Sequence, residues 1–98
     1  MMAVLVIDRD FATRLAARRV LEFAGFTVST AAGDGYLPRG SFELVVADLS
    51  EVSRGYIERR YPQVRILGIS SDMSGDVTKP FTPSQLLGAA RRALARRC

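Results

Sequence analysis

The chain has 98 residues, 48% of them hydrophobic and 24% charged, with a net charge of +4, one cysteine and no histidine. A length near 100 leaves room for one core and little for a second, and the composition excludes a disordered, collagenous or disulfide-stapled chain. No apolar run approaches the roughly 18–20 residues that a membrane-spanning helix needs, no secretory leader is visible, and the lone terminal Cys98 fits a reducing, cytoplasmic setting.

Ala3–Ile7 is apolar and β-branched and ends abruptly at Asp8, the pattern of a strand buried on both faces. From Phe11 to Ala24, Leu15, Val20, Leu21 and Ala24 recur at helical spacing with Arg14, Arg18 and Arg19 between them, and Gly25 supplies the stop. Phe26–Thr30 reads as a second strand. Ala31–Ser41 is short and contains glycine and proline, so it has little room for a helix. Phe42–Ala47 is a third strand and again stops at an aspartate, Asp48. Val52–Tyr61 has helical spacing and is closed by Pro62. Val64–Ile69 reads as a fourth strand running into Ser70 and Ser71, and Asp76–Thr78 as a short fifth. Thr82-Pro83-Ser84-Gln85 is a capping-box pattern opening a last helix. Leu86, Leu87, Ala90, Ala93 and Leu94 form its apolar face, with Arg91, Arg92, Arg96 and Arg97 toward solvent.

This alternation predicts a parallel α/β sheet with right-handed crossovers, in which ligands gather beyond the carboxyl ends of the strands. Asp8 and Asp10 follow the first strand, Asp48 the third and Ser70 the fourth. Lys79 follows the fifth and precedes Pro80-Phe81. It is the only lysine among fourteen basic residues, which points to a site that needs a compact ammonium. From Val4-Leu5-Val6-Ile7-Asp8 to Lys79-Pro80-Phe81 and the final helix, the chain resembles the receiver domain of two-component response regulators. The resemblance implies one receiver-like domain over residues 1–98, a flavodoxin-like five-stranded parallel sheet with flanking helices. It also implies Asp48 as phosphoacceptor from a histidine kinase, and Asp8, Asp10 and Asp48 as ligands of Mg²⁺. Ser70 is then the hydroxyl that bonds the transferred phosphoryl group, and Lys79 pairs with the acceptor, its bond to Pro80 being often cis in the family. The transferred group spreads negative charge over its oxygens, so a carboxylate nucleophile needs cations beside it.

The chain departs from the family pattern in several places. Arg9 stands where the family has a second acid on the metal, and a guanidinium cannot ligate Mg²⁺. Two readings stay open: Arg9 turns to solvent while Asp8, Asp10 and Asp48 hold a weak Mg²⁺, or Arg9 folds over Asp48 and substitutes for the ion. Asp10 has an equal alternative as a helix cap, and Ser70 has one as an ordinary loop hydroxyl. Lys79 comes only nine positions after Ser70, so the family's fourth helix is expected to be missing or reduced to a loop, and its second helix shortened. Asp76 occupies the place of the aromatic switch residue, and Leu49-Ser50-Glu51 replaces the Met-Pro that commonly follows the acceptor.

The implied function is a stand-alone receiver in a phosphorelay, accepting phosphoryl at Asp48 from a histidine kinase or docking to another signalling protein. The alternative is a phosphorylation-independent pseudo-receiver, an interaction module that could form a homodimer, with Arg9 in place of Mg²⁺. Nucleic-acid binding is disfavoured, because the arginine-rich last helix belongs to no helix-turn-helix and carries no interleaved aromatics. The chain is not expected to be an enzyme. It has no histidine for acid–base work and no Gly-x-Gly-x-x-Gly or phosphate-loop pattern.

Overall fold

Even- and odd-numbered residues of a strand point to opposite faces, and here both faces are apolar, so the sheet is covered on two sides. The computed structural model describes residues 2–33 and 35–96; Arg97 and Cys98 lie outside them. In chain order the elements are β1 (Ala3–Ile7), α1 (Phe11–Phe23), β2 (Thr27–Ala31), β3 (Leu44–Asp48), α2 (Arg54–Arg60), β4 (Arg65–Ser70), β5 (Val77–Thr78) and α3 (Pro83–Ala95). The strands form one five-stranded sheet in the order β2-β1-β3-β4-β5, every pair parallel. This is the flavodoxin-like order.

On one face Val4, Val6, Leu44, Val46, Leu67 and Ile69 pack against α1 and α3. Leu5, Ile7, Val45, Ala47 and Ile66 pack on the other face against Val52, Ile57 and Tyr61. A fully buried leucine or isoleucine contributes about 1.5–3 kcal/mol, and these two layers hold β1 and β3 rigidly at the centre.

Local chemistry sets the helix ends. Asp10 caps α1, accepting Thr13 N. At the other end Phe26 N returns to Leu21 O (3.1 Å), and Gly25 adopts φ +101°, a conformation costly for any residue with a Cβ. Thr82 and Gln85 form the reciprocal capping box of α3. Ser53 caps α2, so this helix starts at Arg54 rather than Val52, and the freed Val52 sinks into the core.

Between β2 and β3 the shortening of the second helix is complete: among the described residues 32–43 contain no helix. The loop is held instead by Tyr61, whose hydroxyl donates to Pro38 O (2.5 Å), and by Arg60 Nη2 on the same oxygen (3.1 Å). One loop side chain, Leu37, is buried beneath the sheet. The segment 71–76 between β4 and β5 is likewise non-helical. No helix among the described residues is long and apolar enough to cross a membrane.

Candidate functional site

Strand order reverses between β1 and β3, and a parallel sheet opens a crevice at such a point beyond its carboxyl edge. Asp8 follows β1 and Asp48 ends β3, side by side at this crevice. Both are buried, Asp8 completely and Asp48 to 5% exposure. Lys79 enters from the end of β5, where its N–H donates to Ser70 O (2.7 Å) and its bond to Pro80 is cis. Its Nζ donates to Asp8 Oδ2 at 2.9 Å and to Asp48 Oδ2 at 2.8 Å. The remaining oxygens are also satisfied. Asp8 Oδ1 accepts Asp10 N (2.8 Å), and Asp48 Oδ1 accepts Ser50 N (3.0 Å) and Ser50 Oγ (2.6 Å).

The electrostatics follow from this pairing. Burial disfavours the Lys79 ammonium, but its bonds to Asp48 and Asp8 and their charges outweigh burial and push its pKa up to about 12. At Asp48 burial likewise raises the pKa, yet the bonds from Lys79 and Ser50 prevail and hold it below the usual carboxylate value. The centre is therefore an ionised carboxylate beside a fixed cation at neutral pH.

A third carboxylate joins the pair. Glu51 lies in the turn after β3, where Glu51 N and Val52 N both bond Asp48 O (3.0 and 3.2 Å). Its Oε1 accepts Arg9 N at 2.9 Å. One oxygen each from Asp8, Asp48 and Glu51 lie within 4.8 Å of one another. Three hard, anionic oxygens at this spacing suit a small divalent cation such as Mg²⁺, and with the Lys79 ammonium they leave a net local charge of −2 for it to balance.

Asp10 is not in this group. Its Oδ2 accepts Thr13 N (3.0 Å) and Thr13 Oγ1 (2.6 Å), bonds that lower its pKa. The orphan amides of the helix start have taken the carboxylate that the resemblance assigned to a metal. Arg9 does not fold over Asp48 either. Its side chain is exposed, with Cγ and Nε each 3.9 Å from where a Cβ on Gly33 would stand, and it forms no salt bridge with Asp8 or Asp48. The cation over Asp48 is Lys79. Ser70 is buried at the end of β4, and its Oγ accepts Gly75 N (2.8 Å). Glu51 and Ser50 were the residues that sequence reading missed. Their signal was present in the polar Ser50-Glu51 pair, two and three positions after a strand-ending aspartate.

No protein-family model and no curated protein matches the chain. Solved structures do match it. A response regulator from Thermotoga maritima is 23% identical with a TM-score of 0.81, over 98% of this chain and 99% of that one. A CheY-like response regulator receiver domain protein from Methanospirillum hungatei is 21% identical (TM-score 0.80), over 96% and 94%. A chemotaxis response regulator of Vibrio cholerae is 20% identical (TM-score 0.78), over 95% and 98%. The chain thus has the fold of CheY-like receiver domains over nearly its whole length.

Proposed function

We propose that the protein is a response-regulator receiver that takes a phosphoryl group on Asp48 from the phosphohistidine of a histidine kinase. The observation that carries this reading is the pairing of Lys79 Nζ with both Asp8 and Asp48 at the carboxyl edge of the sheet. In the transfer an Asp48 oxygen forms the new bond to phosphorus as the N–P bond breaks, and the imidazole keeps the electron pair. Lys79 then pairs with the phosphoryl oxygens, and Ser70, at the adjoining strand end, donates its O–H to another while its Oγ still accepts Gly75 N. The protein is on this reading a signal carrier and not an enzyme, and its partners are the kinase and whatever protein reads the phosphorylated form.

Mg²⁺ bound among Asp8, Asp48 and Glu51 would neutralise charge that develops on the phosphoryl oxygens. Glu51 here supplies the acid that position 9 lacks, and Asp10 keeps its place as a cap. In calorimetry with Mg²⁺, Glu51→Gln should weaken binding about tenfold, the scale on which a ligand's charge tunes such sites. Glu58→Gln, on the exposed face of α2, controls for net charge. Equal affinity of native protein and Glu51→Gln removes Glu51 from the site.

Incubation with acetyl phosphate and Mg²⁺, followed by intact mass, tests the acceptor. Native protein should gain one phosphoryl group, and Asp48→Asn or a chelator should abolish the gain. An adduct that survives in Asp48→Asn overturns the assignment of Asp48. Native protein that stays unmodified, with Mg²⁺ bound or not, overturns the phosphoryl chemistry and leaves the pseudo-receiver reading.

A further inference from the structure

β5 is two residues long, and its brevity leaves part of a sheet edge open. In β4 the Arg65 N–H bonds Glu43 O on the β3 side (3.3 Å), whereas Gly68 O accepts Asp76 N and Ser70 O accepts Lys79 N, both at 2.7 Å, on the β5 side. Main-chain groups alternate in direction along a parallel strand, so those of Ile66 also face the β5 side. β5 reaches only Ile69 and Ser70. Asp76 covers Gly68, receiving its N–H on Oδ2 at 2.8 Å. Among the described residues nothing bonds the Ile66 N–H or C=O on that side.

Beside this edge runs a groove of about 540 Å³ between β4 and α3, lined by Leu67, Asp76, Ala89, Arg92, Ala95 and Arg96. A second hollow along β5 and the start of α3 shares Asp76 and Arg92 with it. Arg65, at the start of β4, donates from Nε and Nη2 to Arg96 O (3.0 and 2.8 Å). Among the described residues three guanidinium groups therefore flank an apolar trough whose one carboxylate, on Asp76, is already engaged by Gly68.

We propose that this edge and groove take up an extended acidic segment of a partner protein, which adds as a short strand beside Ile66. Main-chain hydrogen bonds to an unpaired edge supply affinity, and side chains alternating into the trough supply selectivity. Charge decides the occupant. A second copy pairing edge to edge would bring Arg65, Arg92 and Arg96 against their own counterparts, a like-charge contact that disfavours self-association. A carboxylate-bearing strand meets the same three groups as counter-ions. The proposal does not depend on phosphoryl transfer at Asp48.

Hydrogen exchange by NMR on the full chain tests it in two steps. In the free protein the Ile66 amide should exchange at least about a hundredfold faster than that of Leu67, which points into the sheet. A peptide of about six residues, a common strand length, alternating glutamate and valine, should then protect Ile66 and shift the amides of Ala89 and Arg92. Its affinity should fall with added salt, and the double change Arg92→Glu with Arg96→Glu should weaken it about tenfold, as two reversed exposed pairs would. N-methylating the peptide at alternate amides should abolish the protection. Slow exchange of Ile66 in dilute free protein overturns the proposal. So does equal binding of a lysine–valine peptide, or no response at about millimolar peptide. Protection that grows with protein concentration alone gives the edge to a second copy and also overturns it.

Discussion

Lys79 concentrates the energetics of the site in one side chain. Its ammonium is shared by two buried carboxylates, so each member depends on the other two. Removing one partner of a buried ion pair leaves an uncompensated charge and costs about 3–5 kcal/mol. Lys79→Met, of similar length and without charge, should lose about that much at pH 7, read from the urea midpoint. The pH dependence separates lost charge from lost packing. With the ammonium gone, the adjacent carboxylates repel and one of them takes up a proton more readily in the folded state than in the unfolded chain. A raised carboxyl pKa makes the variant gain stability as pH falls from 7 toward 5, and Mg²⁺ should stabilise it at pH 7 for the same reason. A loss of equal size at pH 5 and pH 7 would mean that packing, not charge, is what the lysine supplies.

The connection from β4 to β5 shows how an element can be shortened without losing its site. Eight positions after Gly68, Asp76 bonds it through both main chain and side chain, doing for that residue what a longer β5 would have done. The close approach constrains the preceding residue. A Cβ on Gly75 would stand 2.8 Å from Gly68 O, and because that neighbour is backbone it cannot swing away. Gly75→Ala should therefore cost about 1–3 kcal/mol, the usual penalty of overpacking, and should loosen Ser70 as well, since Gly75 N is bonded to Ser70 Oγ. Thermal unfolding with Gly35→Ala as control checks this, as nothing lies within 4 Å of a Cβ at Gly35. The strand and helix ends that could be read from sequence were those set by neighbours in the chain, such as Gly25 after α1 and Thr82 with Gln85 before α3. Asp8, Asp48 and Lys79 were legible because strand ends in a parallel sheet converge on one edge. Glu51 was not, since its partner Arg9 lies 42 positions away and only the folded register joins them. Apolar spacing alone starts α2 at Val52, two residues before its true start at Arg54, because Ser53 competes locally and hydroxyl capping outweighs apolar spacing.

Across the whole molecule the same charges set a window of pH in which the fold is at its best. Asp48 has a lowered pKa in the folded state, so its contribution is present above the unfolded value and disappears as pH falls through the folded one. Lys79 is raised from 10.5 to about 12. Its contribution of about 2 kcal/mol is complete below the unfolded value near 10.5 and disappears as pH rises through about 12. Stability should thus be flat from about pH 5 to about pH 10 and fall outside those limits. The two flanks should differ in their response to salt. In acid, protonating the ten carboxylates leaves 14 basic side chains unopposed, and their mutual repulsion adds to the loss of the buried pair. In alkali the thirteen arginines remain charged against ten carboxylates and ionising tyrosines, so the net charge shrinks, and what is lost is the buried lysine together with the buried Tyr61 hydroxyl, whose pKa burial also raises. Raising the salt concentration screens surface repulsion but barely reaches a buried pair. Unfolding midpoints measured across pH at low and high salt should therefore recover on the acid flank and stay unchanged on the alkaline one. Equal recovery on both would place the governing charges at the surface rather than around Lys79.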